Sequence, residues 1–397
     1  MGTFHSLCVR LLRVQADKIG YGKNFVIYDS ADQLSLVKQL MVERGIDVKK
    51  MNPNAILGRI SWAKNKMIDA KSFKNKSDTK DFFNKNVASL YEDYQARLVK
   101  ANAMDFDDLI MNTVKLLKEH ENVATKYQNL FKYILVDEYQ DTNLSQYELV
   151  KILAEKHKNL FVIGDDYQSI YGWRNADIRN ILNFEKDYPE VKVIEMTQNY
   201  RSTKKIIEAA QHIIAKNEAQ RHKKLWTDNE DGHPVKVSEL PTEREEGQYI
   251  IDTIKKGGQR YKDFAVLYRT HAQSRSIEEA FLKSGIPYKI IGGVKFYERR
   301  EIKDILSYLK FALNPEDIVS FGRIYNIPPR RIGKASYKKI TDAYIKERQI
   351  TKILDDSDNP AFHNLSILLQ DFIKKTDQYS VSKLARYVLD KISYREY

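Results

Sequence analysis

"ILVDEYQDTN", residues 134–143, is the stretch on which the reading of the whole chain turns. Three apolar residues, Ile134, Leu135 and Val136, run straight into two adjacent acids, Asp137 and Glu138. A short apolar run that stops at polar turn residues is the pattern of a strand buried in a parallel sheet. Carboxylates at the carboxyl end of such a strand stand where open α/β sheets bind ligands. One of them can hold Mg2+ directly or through water, and its neighbour can orient or deprotonate an attacking water. A bare Asp-Glu pair is more often a strand-terminating acidic turn, so its context decides.

Working outward, "NLFVIGDD" (159–166), "VKVIEM" (191–196) and "DFAVLYRT" (263–270) read as further buried parallel strands. "QYELVKILAEKH" (146–157) and "TKKIIEAAQHIIAKN" (203–217) carry helical periodicity between them. Alternating strand and helix predicts an α/β domain around a parallel sheet, with Asp137, Glu138, Asp165 and Asp166 at its strand ends. In "GDDYQSIYGWRNAD" (164–177) the Gln168 amide is placed to reach a phosphate oxygen. Tyr171 and Trp173 lie beside Arg174, and aromatic rings next to a guanidinium suit stacking on unpaired bases. The alternative is that both rings belong to the core. In "TQNYRST" (197–203) Arg201 suits neutralisation of a γ-phosphate and Tyr200 suits stacking on a purine, although an arginine after a strand is more often an ordinary surface residue.

The remaining segments differ in character. Residues 29–100 read as a helical insertion, with helices over 30–45 and 84–102 and a solvated Lys- and Asn-rich loop over 63–86. Residues 227–246 read as a loop carrying one short strand, and from about residue 301 the chain is helical, broken by the prolines of "NIPPRRIG" (326–333). With 397 residues the chain exceeds one ordinary core, so two or three domains are expected. A formal charge of +12 points to a polyanion, nucleic acid ahead of a membrane surface. No apolar run approaches the roughly 18–20 residues of a spanning helix, and no secretory signal is present. "MGTFHS" fits a myristoylation pattern too short to carry weight. The single cysteine, Cys8, excludes an internal disulfide framework and fits a reducing cytoplasm.

Taken together these stretches resemble the UvrD/Rep-type superfamily one DNA helicases over nearly the whole chain. "GTFHSLCVRLLR" is similar to the family's motif Ib, "DFDDLI" (105–110) to motif Ic, "ILVDEYQDTN" to motif II, "GDDYQSIYGWRNAD" to motif III and "QNYRST" to motif IV. Residues 264–304 resemble the segments that open the second motor domain. The resemblance implies P-loop NTPase (RecA-like) parallel-sheet motor domains with helical insertions. Residues 1–28 and 101–200 would form part of the first motor, 29–100 its insertion, 201–300 the start of the second motor and 301–397 the start of a second insertion. It implies ATP and Mg2+ as cofactors, single-stranded and duplex DNA as partners, no membrane, a cytoplasmic location, and 3′ to 5′ stepping along single strands. Asp137 would hold the metal and Glu138 would activate water. Gln168 and Arg201 would touch the γ-phosphate, and Tyr200 would stack on adenine. Thr3, Phe4 and His5 would line the single-strand track, Tyr171 and Trp173 would stack on bases, and Arg174 would couple that site to the nucleotide. Tyr167, Asn175 and His271 depart from the family pattern, and Asn175 replaces a glycine with a residue that tolerates positive φ.

The larger departures are absences. The phosphate loop G-x-x-x-x-G-K-[ST] does not occur, and "YGKN" and "IGKAS" do not satisfy it. In the family that loop precedes "GTFHS", and motifs V and VI follow the region of "SYREY". The motor is therefore expected to be incomplete at both ends, with a sheet edge left uncovered. The chain alone is expected to hydrolyse ATP poorly or not at all. The competing expectation is a naturally shortened pseudo-helicase that grips single-stranded DNA without turnover.

Overall fold

The strand-end acids sit on a scaffold far more helical than the sequence pattern suggests. The computed structural model describes residues 1–76, 81–291, 300–347 and 349–394. They fall into two compact units. One comprises Met1–Val193, Ala219–Arg221 and Lys303–Tyr397, and the other Ile194–Glu218 and His222–Ile302.

In the first unit α1 (Phe4–Gln15) starts at Thr3, whose hydroxyl accepts from the Ser6 N–H at 3.2 Å. Its inner face buries Cys8, Leu11 and Leu12. Strand β1 (Val26–Tyr28) pairs in parallel with β2 (Ala103–Asp105). Between them lie α2 (Ser30–Glu43), α3 (Pro53–Asn65), α4 (Ala70–Lys76) and α5 (Phe82–Lys100), packed around Tyr91, Tyr94 and Leu90. Then follow α6 (Phe106–Glu119), α7 (Glu121–Leu130), β3 (Ile134–Val136), α8 (Leu144–Ala154) and β4 (Leu160–Val162). Helices α2, α6 and α8 each open with a capping box, at Asp29, Asp105 and Asn143. Such reciprocal bonds satisfy two N–H groups that a helix start otherwise leaves orphaned.

The helical expectations over 30–45, 84–102, 146–157 and 203–217 are met by helices within a few residues of the expected ends. Several strand expectations are corrected. β3 and β4 do pair in parallel, but "VKVIEM" and "DFAVLYRT" join no ladder, and no strand forms in 227–246. Among the described residues neither of the first two has a neighbouring strand to take its N–H and C=O groups, and Met196 and Leu267 are exposed. Near them, among the described residues, an isolated bridge joins Gln198 to Trp226. Burial of the paired strands is one-sided as well. Val136 packs against Tyr139, Val150 and Phe184, whereas Leu135 is 72% exposed and its register partner Phe161 55% exposed. Successive side chains of a strand point to opposite faces, and the face carrying Leu135 and Phe161 is uncovered among the described residues.

The solvated basic loop over 63–86 is also corrected. Its first residues complete α3, α4 and the start of α5 occupy most of the rest, and residues 77–80 lie outside the described residues. Lys64, expected in solvent, is 1% exposed because two aspartates neutralise it.

Within the same unit the C-terminal helices, from Lys303 onward, form a core around Tyr308, Phe311, Phe321 and Phe372. "NIPPRRIG" separates helices Ile318–Ile324 and Lys334–Glu347, as its prolines require. This core docks on the N-terminal segment. The Tyr28 hydroxyl donates to Asp317 at 2.7 Å, the Asn314 amide to the Ala101 carbonyl at 2.7 Å, and Lys310 pairs with Asp32 at 2.8 Å.

The second unit holds helices Lys204–Ile214, Glu243–Gly257 and Ser274–Ser284, the last two meeting over Ile251, Ile254 and Phe281. Gly247 lets them approach, since a Cβ there would lie 3.0 Å from that of Ala280. Of the stretch resembling the opening of a second motor domain, residues 292–299 lie outside the described residues. No helix among the described residues is long and apolar enough to cross a membrane.

Candidate functional site

Strands β3 and β4 end side by side, so the polar residues that follow them converge. Asp137 accepts from the Glu138 N–H at 3.0 Å, and both carboxylates are solvent-facing. Glu138 has φ +51°, a left-handed conformation that costs a non-glycine residue roughly 1–2 kcal/mol. The turn brings its carboxylate onto the Gln140 amide, which donates to it at 2.7 Å. The same buried Gln140 accepts through its side-chain oxygen from the Asp165 N–H at 3.0 Å. Asp165 in turn accepts from the Gln168 amide at 2.7 Å. One unbroken chain of hydrogen bonds thus runs from Glu138 through Gln140 and Asp165 to Gln168. Gly164 permits it, because a Cβ there would lie 2.7 Å from the Gln140 side-chain oxygen and 2.5 Å from Ile181.

Among the described residues neither Asp137 nor Glu138 is paired with a cation. Hard carboxylate oxygens of this kind suit Mg2+, which is usually held by one or two carboxylates together with substrate phosphates and water. No group of three or more His, Cys, Asp or Glu side chains able to hold a metal occurs among the described residues.

The aromatic residues of 171–174 lie in a cleft of about 910 Å³. Tyr171 and Trp173 have ring centroids 6.4 Å apart, and the Arg174 guanidinium sits 4.5 Å from the Trp173 ring and 5.4 Å from the Tyr171 ring. Trp173 is 66% exposed, so it is not a core ring. Asn175 closes the turn at φ +69°, the left-handed conformation anticipated for it. His5 lines the same cleft, its ring edge-on to Phe106 at 5.7 Å, and burial lowers its pKa so that the neutral imidazole is favoured. Of its neighbours in sequence, Thr3 is the exposed cap of α1 and Phe4 packs partly into the core, and neither lines the cleft.

Beneath the cleft lies a buried polar network. Lys64 Nζ pairs with Asp105 at 2.7 Å and Asp108 at 2.8 Å, and the Tyr94 hydroxyl donates to Asp105 at 2.9 Å. Burial disfavours the Lys64 ammonium, but the two carboxylates outweigh it and hold its pKa above the ordinary lysine range. Burial, reinforced by the charge of Asp105, pushes the Asp108 carboxyl up to about 6. Next to Lys64, the Asn65 amide donates to Asp107 at 2.9 Å and its oxygen accepts from the Asn143 amide. Asn180 donates to the Thr142 carbonyl at 3.0 Å, and Lys66 pairs with Asp177 at 3.3 Å. The end of "ILVDEYQDTN", the end of α3 and the end of "GDDYQSIYGWRNAD" are thereby tied together.

Tyr200 and Arg201 belong to the other compact unit. Both are exposed. The Tyr200 hydroxyl donates to Gln198 at 2.6 Å, and the Asn199 side chain accepts from the Arg201 and Ser202 N–H groups at 3.0 and 2.8 Å. Three features escaped the sequence reading. Gln140 lay inside the decisive stretch, but no periodicity marked it as a bridge. Arg59 and Trp62 line the cleft from a part of the helical insertion that was given no site role, and Phe83 does so from the expected basic loop.

Comparison with known proteins fits this geometry. The UvrD/REP helicase N-terminal domain matches residues 1–189, and the UvrD-like helicase C-terminal domain matches residues 194–397. The second match begins at residue 194, where the first compact unit gives way to the second, and its residues from Lys303 onward belong to the first unit again. The ATP-dependent DNA helicase PcrA of Bacillus subtilis (strain 168) is 45% identical over 409 residues, covering 100% of this chain and 55% of the relative. The ATP-dependent DNA helicase PcrA of Staphylococcus aureus (strain Mu50) is 45% identical over 413 residues, covering 100% of this chain and 56% of the relative. The chain spans about half the length of the curated relatives it matches. On these matches, and with the strand-end acids and the aromatic cleft in one unit, the chain belongs to the UvrD-like helicase family.

Proposed function

We propose that this chain is part of an ATP-dependent DNA helicase motor that steps 3′ to 5′ along single-stranded DNA. The observation that carries the reading is the hydrogen-bonded chain from Glu138 to Gln168, which leads into the residues of the aromatic cleft. In this reading residues 1–28 and 101–200 serve the first motor, 29–100 its insertion, 201–300 the second motor and 301–397 a second insertion. Asp137 would hold Mg2+, which when bound neutralises phosphate charge and polarises the phosphoryl oxygens. Glu138, held by Gln140, is the base for an attacking water. Gln168 presents its amide toward phosphate, Arg201 supplies a positive charge for the γ-phosphate, and Tyr200 offers an exposed ring to adenine. Tyr171 and Trp173 stack on bases, Arg174 links them toward the nucleotide side, and of Thr3, Phe4 and His5, which the resemblance assigns to the strand, His5 is the one that lines the cleft.

The backbone cradle and lysine of a G-x-x-x-x-G-K-[ST] loop are not among these 397 residues. Without those contacts a triphosphate is held weakly, so the chain alone should turn over Mg-ATP slowly or not at all. The test is hydrolysis with and without single-stranded DNA, beside the Glu138→Gln variant. DNA-stimulated turnover that the variant loses would support the catalytic assignment and overturn the expected deficiency. Absent turnover with retained strand binding is the outcome expected of the chain alone, and it is equally what the second reading, a single-strand-binding module, gives. Absent binding as well would sink both.

A further inference from the structure

The cleft that holds Tyr171 and Trp173 has a second group of rings along it, contributed by the helical segment. Arg59 and Trp62 stand three residues apart on α3, a spacing that places them on one helix face. The Arg59 guanidinium lies 4.0 Å from the Trp62 ring centroid. Its Nε donates to the Asn84 side-chain oxygen at 3.0 Å, which ties the guanidinium to α5. Phe83, in the first turn of α5, lines the cleft beside them, its N–H held by Asp81 at 2.9 Å. Trp62 packs partly against the helical core and is neither fully buried nor fully exposed.

We propose that the Arg59–Trp62 stack is a second base-stacking platform on the single-strand track, receiving a base of the strand that also lies on Tyr171 and Trp173. The inference rests on the DNA-binding reading above. Two arguments favour a base over a phosphate here. Guanidinium planes and indoles both stack on bases. The cleft is also lined by Asp107 and Asp141, whose carboxyls do not welcome a phosphate, whereas an uncharged ring is indifferent to them. Its volume of about 910 Å³ lies at the upper end of ordinary ligand sites, which leaves room beyond one stacked ring.

The experiment is fluorescence anisotropy of the full chain with a labelled oligothymidylate and with the same strand carrying abasic sites. Trp62→Ala should weaken binding of the base-bearing strand about fivefold or more. It should leave the abasic strand nearly unchanged, and Trp62→Phe should restore most of the loss. Equal losses on both strands would make Trp62 a packing residue and overturn the proposal. Unchanged affinity for the base-bearing strand, with Trp173→Ala still weakening it, would overturn the proposal while leaving the DNA-binding reading intact. Failure of the unmodified chain to bind either strand would overturn both.

Discussion

Two residues carry more than their composition suggests. Gly164 has no side chain because Gln140 and Ile181 occupy the space a Cβ would need. Gly164→Ala should therefore cost about 1–3 kcal/mol through overpacking, read as a lower urea midpoint, and should disturb the bond from Gln140 to Asp165. Lys64 is the other. Removing one partner of a buried ion pair strands the remaining charge, so Lys64→Met should destabilise by roughly 3–5 kcal/mol. Asp108, beside it, titrates near pH 6 in the folded chain, against about 3.9 for an unfolded aspartate. The folded state then holds this proton more tightly than the unfolded state. Its contribution is complete below pH 4 and is lost as pH rises through 6. Urea midpoints at pH 4.5 and 7 should show this loss in the unmodified chain and a flatter dependence in Asp108→Asn. An equal slope in both would assign the pH dependence to other groups.

At the scale of elements, capping and periodicity account for what the sequence revealed. Helices such as α2, α5 and α8 were legible because their apolar spacing and polar starts agree. The paired strands are only three residues long. β1 and β2 were missed altogether, since so short a run carries no period. "VKVIEM" and "DFAVLYRT" failed for the opposite reason: their composition suits a strand, but a strand also needs a neighbour, and sequence does not say whether one is there. The acids and the 171–174 rings were readable because each motif is contiguous. The opposite lining of the cleft was not, because Arg59, Trp62 and Phe83 meet residues 171–174 only through tertiary packing. Asn143 joins these levels, capping α8 and bonding Asn65 at the end of α3. Asn143→Ala should cost more than the ~1 kcal/mol of an ordinary cap. A double-mutant cycle with Asn65→Ala should return a coupling of about 0.5–3 kcal/mol, and strict additivity would show the two sites to be independent.

For the whole molecule, a charge of +12 means that the strand binding proposed above would be driven largely by counterion release. Affinity for single-stranded DNA should fall steeply between 50 and 200 mM salt (approximate working limits). A flat profile would argue against a groove that tracks phosphates. The C-terminal helices return to dock on the N-terminal segment through Tyr28–Asp317, Asn314–Ala101 and Lys310–Asp32, while most of the chain between them belongs to the separate unit of Ile194–Glu218 and His222–Ile302. Covalent continuity and structural continuity are therefore different things in this protein. A protease that nicks the chain once within the second unit would produce two bands on a denaturing gel from a single peak in size exclusion, since the halves are clasped to each other elsewhere.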